Sequence, residues 1–179
     1  APLKSLQYFK PQFMSLVSPH PIWSTVGSSP AKVAMASLAT LQAQMLSGRF
    51  RTEHLCSLWS PNSSEFCQLS LSCTFISEDL DHILRICEAL APIRQKMKMF
   101  SLKYCESKEH IKTIVSKYSE PSHPQFCQFL IDCSVLDDVI VAKQTFGNQV
   151  LQDLFHITRT YCYSLHKERM KLRGRWNPF

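Results

Sequence analysis

Between Cys67 and Cys87 the chain reads Cys67-x5-Cys73-x8-His82-x4-Cys87, three thiols and one imidazole inside about 20 residues. No other stretch restricts the fold as much, because four such side chains close on one ion only if the backbone between them turns back on itself. A structural tetrahedral zinc takes four Cys or His ligands, all from protein. Three soft thiolates with one imidazole favour zinc over magnesium or calcium. A polar loop, 62–79, brings in Cys67 and Cys73, and helical periodicity resuming at Leu80 brings in His82 and Cys87. The expected cofactor is therefore one Zn2+ on Cys67, Cys73, His82 and Cys87. The x5 gap is loose and no CxxC pair is present, so Cys56 is a rival ligand. Chance clustering in a Cys-rich chain is the competing explanation. A closed shell leaves no position for an activated water and no HExxH-type base lies nearby, which disfavours a catalytic ion.

The 179 residues suit one domain with trailing segments and can bury a real core, so metal is not needed merely because the chain is small. With only 4 Gly against 10 Pro, a loop-rich phosphate-binding fold is disfavoured. No apolar run approaches a membrane span and the N-terminus lacks a signal peptide's apolar stretch, so no membrane partner is expected. Eight Cys without a secretory signal point to a reducing, intracellular setting. Cys56, Cys105, Cys127 and Cys162 have apolar or aromatic neighbours and read as core thiols. The start at Ala1-Pro2-Leu3, without Met, leads us to expect a piece of something larger.

Along the chain, 1–28 is Pro-rich and reads as an extended segment with short helical turns, the junction with a missing upstream region. Ser29 and Pro30 suit the N-cap and first position of a helix that continues to Ser47, with Gly48 as its stop. Shorter helices are expected over 52–59, ending before Pro61, and over 108–118 and 125–131, with Ser134 capping a turn through Val139. Pro92 marks a fresh start near Ala91. Val150, Leu151, Leu154, Phe155, Ile157, Thr158, Tyr161, Cys162 and Leu165 recur at helical spacing, so the last helix should run from about Asn148 to near Arg173. Nothing alternates like a strand. The fold class is mainly α: a helical domain over 29–165 with one zinc-stabilised loop–helix motif at 67–87, and a basic C-terminal tail over 166–179.

Met45-Leu46-Ser47-Gly48-Arg49-Phe50-Arg51-Thr52, then Trp59-Ser60-Pro61-Asn62, resembles the region after the polymerase domain in reverse transcriptases of non-LTR retrotransposons. The likeness continues through Cys67, Cys73, Asp79-Leu80-Asp81-His82-Ile83-Leu84 and Cys87-Glu88-Ala89-Leu90, then Arg94. Thr158 to Tyr163, His166 to Arg169 and Gly174-Arg175-Trp176 resemble the closing stretch of some animal elements. The resemblance spans about Pro19 to Trp176 and is weaker between Phe100 and Asp132. It implies a CCHC zinc-knuckle-like segment used on element RNA or target DNA during target-primed reverse transcription. The Cys-to-Cys gap is wider than in retroviral knuckles. The polymerase's paired-Asp motif is missing, and Asp137-Asp138 reads as a helix face.

The resemblance implies nucleic-acid binding by a non-catalytic part of an RNA-directed DNA polymerase. Lys plus Arg exceed Asp plus Glu by 20 to 14, and the excess concentrates after His166. Arg49, Arg51, Arg159, Lys167, Arg169, Lys171, Arg173 and Arg175 are the candidate phosphate contacts, although a solvated helix face explains the tail as well. Trp176, Tyr163 and Trp59 are candidates for stacking on unpaired bases, with core packing favoured for Trp59. One alternative is a scaffold docked on the polymerase thumb, the upstream domain of the same polypeptide. A restriction-like endonuclease would have to use Asp132, Asp137, Asp138 and Lys143, which lack the Pro-Asp and Glu-x-Lys spacing of that chemistry.

Overall fold

The computed structural model describes residues 20–26, 32–60 and 62–174. The expectations for Leu3 to His20's predecessor, the Ser29 cap, Pro30, Pro61, Arg175 and Trp176 lie outside these residues. The architecture is mainly α. In chain order the helices are α1 (Pro21–Ser24), α2 (Lys32–Leu46), α3 (Glu53–Trp59), α4 (Ala91–Tyr104), α5 (Glu109–Tyr118), α6 (Phe126–Ile131), α7 (Asp137–Phe146) and α8 (Gln149–Leu172). Among the described residues no β-strand forms.

The long helix α8 is the axis, with α2, α4, α6 and α7 packed around it. Its apolar positions recur at three- and four-residue steps, and Val150, Leu151, Leu154, Phe155, Ile157, Tyr161, Cys162 and Leu165 are all buried. At this spacing one helix can contact several neighbours along its length. Gln42 of α2 is fully buried and its amide donates to Leu130 O at 2.7 Å and Thr158 Oγ1 at 3.0 Å, tying α2, α6 and α8 together. Burying an amide costs free energy unless it is hydrogen-bonded, so this polar link specifies how the three helices meet.

Local chemistry explains most boundaries. Thr52 caps α3 by accepting from Leu55 N–H at 3.0 Å. Gly48 ends α2 with φ 70°, a left-handed geometry that favours Gly. Pro92 sits in the first turn of α4, where its missing N–H costs nothing. One expectation is corrected beyond Asp132. That carboxylate, not Ser134, caps the turn Cys133–Val135, receiving Ser134 N–H at 3.2 Å, and a ten-residue helix, α7, follows where only a turn through Val139 was expected.

Helix α8 runs unbroken to Leu172, so the sequence boundary at 165–166 falls inside it. Cys105, Cys127 and Cys162 are buried, while Cys56 is half-buried. Cys133 is a further buried thiol, raised well above its usual pKa by burial. No described helix is long and apolar enough to cross a membrane.

Candidate metal centre

Cys67, Cys73, His82 and Cys87 converge in one buried cluster, with their ligand atoms all within 4.8 Å of one another. The Cys67 and Cys87 sulfurs are 3.9 Å apart. Tetrahedral bonds of about 2.3 Å put two ligating sulfurs about 3.8 Å apart, so the spacing suits a shared ion. Cys56 is not part of the group.

The backbone builds this cluster from two pieces. The first is a short antiparallel pairing around Phe66 and Ser77, in which Cys67 N–H donates to Ile76 O at 2.9 Å and Glu78 N–H to Glu65 O at 2.8 Å. Within it a single turn, Leu71–Cys73, carries the second thiol, and Ile76 N–H donates back to Cys73 O at 2.9 Å. The second piece is a wide helical turn, His82–Ile86, in which Cys87 N–H reaches His82 O at 2.8 Å. That five-residue reach is the geometry of a π-turn, which recurs at functional sites. It sets His82 and Cys87 side by side, where an α-helical pitch would rotate them apart.

Electrostatics favour a metal-binding role. His82 is almost wholly buried, and both ring nitrogens lack a hydrogen-bond partner. A buried imidazole left so is costly unless something else uses its lone pair. Burial lowers its pKa, keeping the ring neutral as a ligand requires. Burial raises Cys67, and burial with the neighbouring Cys67 pushes Cys87 up to about 12. Such thiols hold their protons at neutral pH unless a cation compensates the thiolates.

Three supporting residues escaped the sequence reading as site residues. Asp79 Oδ1 accepts His82 N–H at 2.8 Å and so caps the turn that carries the imidazole. Arg94, buried in α4, donates to Cys87 O at 2.5 Å and fixes the other end of that turn. Glu78 is fully buried, and its Oε1 accepts Glu53 N–H at 3.0 Å and an Arg169 N–H at 2.5 Å. Asp79 carried a local signal, since it stands three residues before His82. Arg94 was visible only as part of the resemblance. Glu78 meets Arg169 across 91 residues, and nothing local reveals that.

The cations expected to contact phosphate divide into two groups. Arg49, Arg51 and Lys171 are exposed and Lys167 is half-buried. Arg159 is a correction: it is 0% exposed and donates to Ile22 O at 2.5 Å and Thr25 O at 3.2 Å. Its position on the apolar stripe of α8 puts the guanidinium under α1, not on the surface. Arg169 is likewise buried against Glu78 and stacked over Phe50, and Arg173 pairs with Glu53. The expected Trp59 packing is also corrected. Trp59 ends α3 and is 83% exposed, because α3 buries only Glu53 at its start and leaves its last turn at a cleft lined by Arg51, Glu53, Cys56, Trp59 and Ser63. Tyr163 is half-buried.

The carboxylates an endonuclease would need have separate partners. Asp132 is buried against His20 at 3.1 Å and Ser134, whereas Asp138 takes Lys117 at 2.5 Å and the Tyr118 hydroxyl at 2.9 Å. The cluster at Cys67–Cys87 is the one group of three or more His, Cys, Asp or Glu that could hold a metal ion among the described residues. Compared with known proteins, the chain has no significant match among family models, curated proteins or solved structures.

Proposed function

We propose that this chain is a zinc-bearing, nucleic-acid-binding domain, the C-terminal region of a non-LTR retrotransposon reverse transcriptase. In this reading it positions element RNA or target DNA for target-primed reverse transcription. Three cysteine thiols and one neutral imidazole, buried with their ligand atoms within 4.8 Å of one another, suit a zinc ion in a structural role. The observation that carries the binding role is the cleft beside α3, which exposed Arg51 and exposed Trp59 both line. A guanidinium for phosphate next to an open indole face is what an unpaired strand requires. Arg49, Lys167 and Lys171 extend the cationic surface.

A salt-titrated comparison of single-stranded RNA, single-stranded DNA and duplex DNA tests the reading. Replacing Arg49, Arg51 and Lys171 together by Gln should flatten the slope of log affinity against log salt by about 2 units on single strands. Trp59→Ala should cost about 1–3 kcal/mol on single strands and spare duplex. An unchanged slope overturns the binding role.

A second reading, a scaffold docked on the polymerase, draws on a different surface. Leu71 and Phe75 on the metal loop are 96% and 88% exposed, and residues 52–84 contain no Lys or Arg. A cation-free apolar tip suits a protein surface better than phosphate. In that reading the isolated domain binds no nucleic acid, and Leu71→Ser with Phe75→Ser weakens its association with the polymerase portion.

A further inference from the structure

Two guanidiniums and two carboxylates meet in the interior where α3, the metal loop and the end of α8 come together. Arg169 contacts Glu78 at 2.5 Å and Glu53 at 4.0 Å, while Arg173 contacts Glu53 and lies 3.9 Å from Glu78. The four side chains are 9% exposed or less. Four buried charges stay charged only if each remains matched, so losing one partner strands the others in a dry site.

Glu78 also belongs to the metal centre's own backbone path. Its N–H closes the pairing that carries Cys67, and its neighbour Asp79 caps the His82 turn. Ile76, two residues earlier, accepts from Cys67 and donates to Cys73 O. Any movement of the loop that separates the ligands therefore pulls Glu78 from Arg169, and any release of Arg169 loosens the loop.

We infer that Glu78 is a positioning residue of the metal centre, and that through Arg169 and Arg173 it links ion binding to docking of the last two turns of α8. This rests on the metal reading above. Loss of the ion releases 166–172 together with the loop, uncovering Arg169 and Arg173 beside Lys167 and Lys171. The centre of α8 stays packed, because Val150 to Leu165 are mostly buried and α8 packs chiefly on α2, α4, α6 and α7. Linkage is reciprocal, so breaking the charge cluster must weaken the ion by the factor with which the ion strengthens the cluster.

The test uses the full chain, with its zinc content measured first and zinc then removed by a chelating dye. Hydrogen exchange on the wild type should show amides 166–172 losing protection on zinc removal while 150–162 keep theirs. Glu78→Gln and the milder Arg169→Lys should weaken zinc by about 10- to 100-fold in competition with the dye. Glu168→Gln, on the same turn but outside the cluster, should leave zinc affinity unchanged. General destabilisation would move both sets of amides together, so the exchange pattern separates linkage from a merely structural role. If the variants fail to fold, the wild-type exchange result decides. Equal protection of 166–172 with and without zinc overturns the inference, as do folded variants that hold zinc like the wild type. A wild-type chain that takes up no zinc sinks the metal reading itself, and this inference with it.

Discussion

Arg159 lies midway along α8 with its guanidinium under α1, donating to the carbonyls of Ile22 and Thr25 and to the Thr25 hydroxyl. Burial lowers its pKa to about 10, leaving it charged at neutral pH. The side chain serves as a strap that ties α8 to the buried Ile22 carbonyl and the half-buried Thr25. Arg159→Ala should destabilise the chain by roughly 2–4 kcal/mol in denaturant unfolding, from unpaired carbonyls plus lost packing. Its effect on nucleic-acid affinity, measured in the folded variant, should be negligible. Cys73 makes a contrasting case at the same scale. Its surroundings, Ser70 to Ile76, are mostly exposed, so little apolar burial holds the loop once a ligand is gone. Cys73→Ala should abolish stoichiometric zinc by elemental analysis, and a folded variant that keeps a full ion would show the assigned ligand set to be wrong.

Among the elements, the end of α8 carries a half-buried titrating group, His166. His166 sits edge-on to Phe50, and burial together with the Arg169 charge lowers its pKa from 6.5 to about 4. The folded state therefore binds fewer protons than the unfolded state between these values. The stabilising contribution is fully present above about 6.5 and is lost as pH falls toward about 4. His166→Phe keeps the ring against Phe50 and removes the titration. Thermal melts across this window, with zinc chelated, should fall less steeply for the variant than for the wild type. Parallel curves would mean that His166 gains a proton without strain.

For the molecule as a whole, one closed loop joins the bundle through a few long-range polar contacts, and an ion bound there stabilises everything it links. At free zinc about 100-fold above the dissociation constant, binding adds about 2.7 kcal/mol. For a chain of this size that raises Tm by about 5–10 °C. Both Cys67 and Cys87 resist ionisation when buried, so the gain should shrink as the solution is acidified and protons compete for sulfur. Calorimetry with and without chelator at two pH values checks both the size and the direction of this effect.

The local pattern was enough for the helical class, the apolar stripe of α8 and the four Cys and His residues that converge in one buried cluster, because each depends on residues close in sequence or on a fixed period. The ten-residue α7 was missed because Ser134 offered an equally good local cap, and Asp132 won through its own contacts. Which cations face water could not be read locally. Arg159, Arg169 and Arg173 have the same composition signal as Lys171, yet the first three meet carbonyls or carboxylates supplied from far away in the chain. Trp59 stands exposed because, among the described residues, no distant element covers the end of α3. Sequence period determined which side of α8 is apolar. Tertiary packing alone decided which charges are matched inside, since a buried charge needs a partner and that partner is rarely a neighbour in sequence.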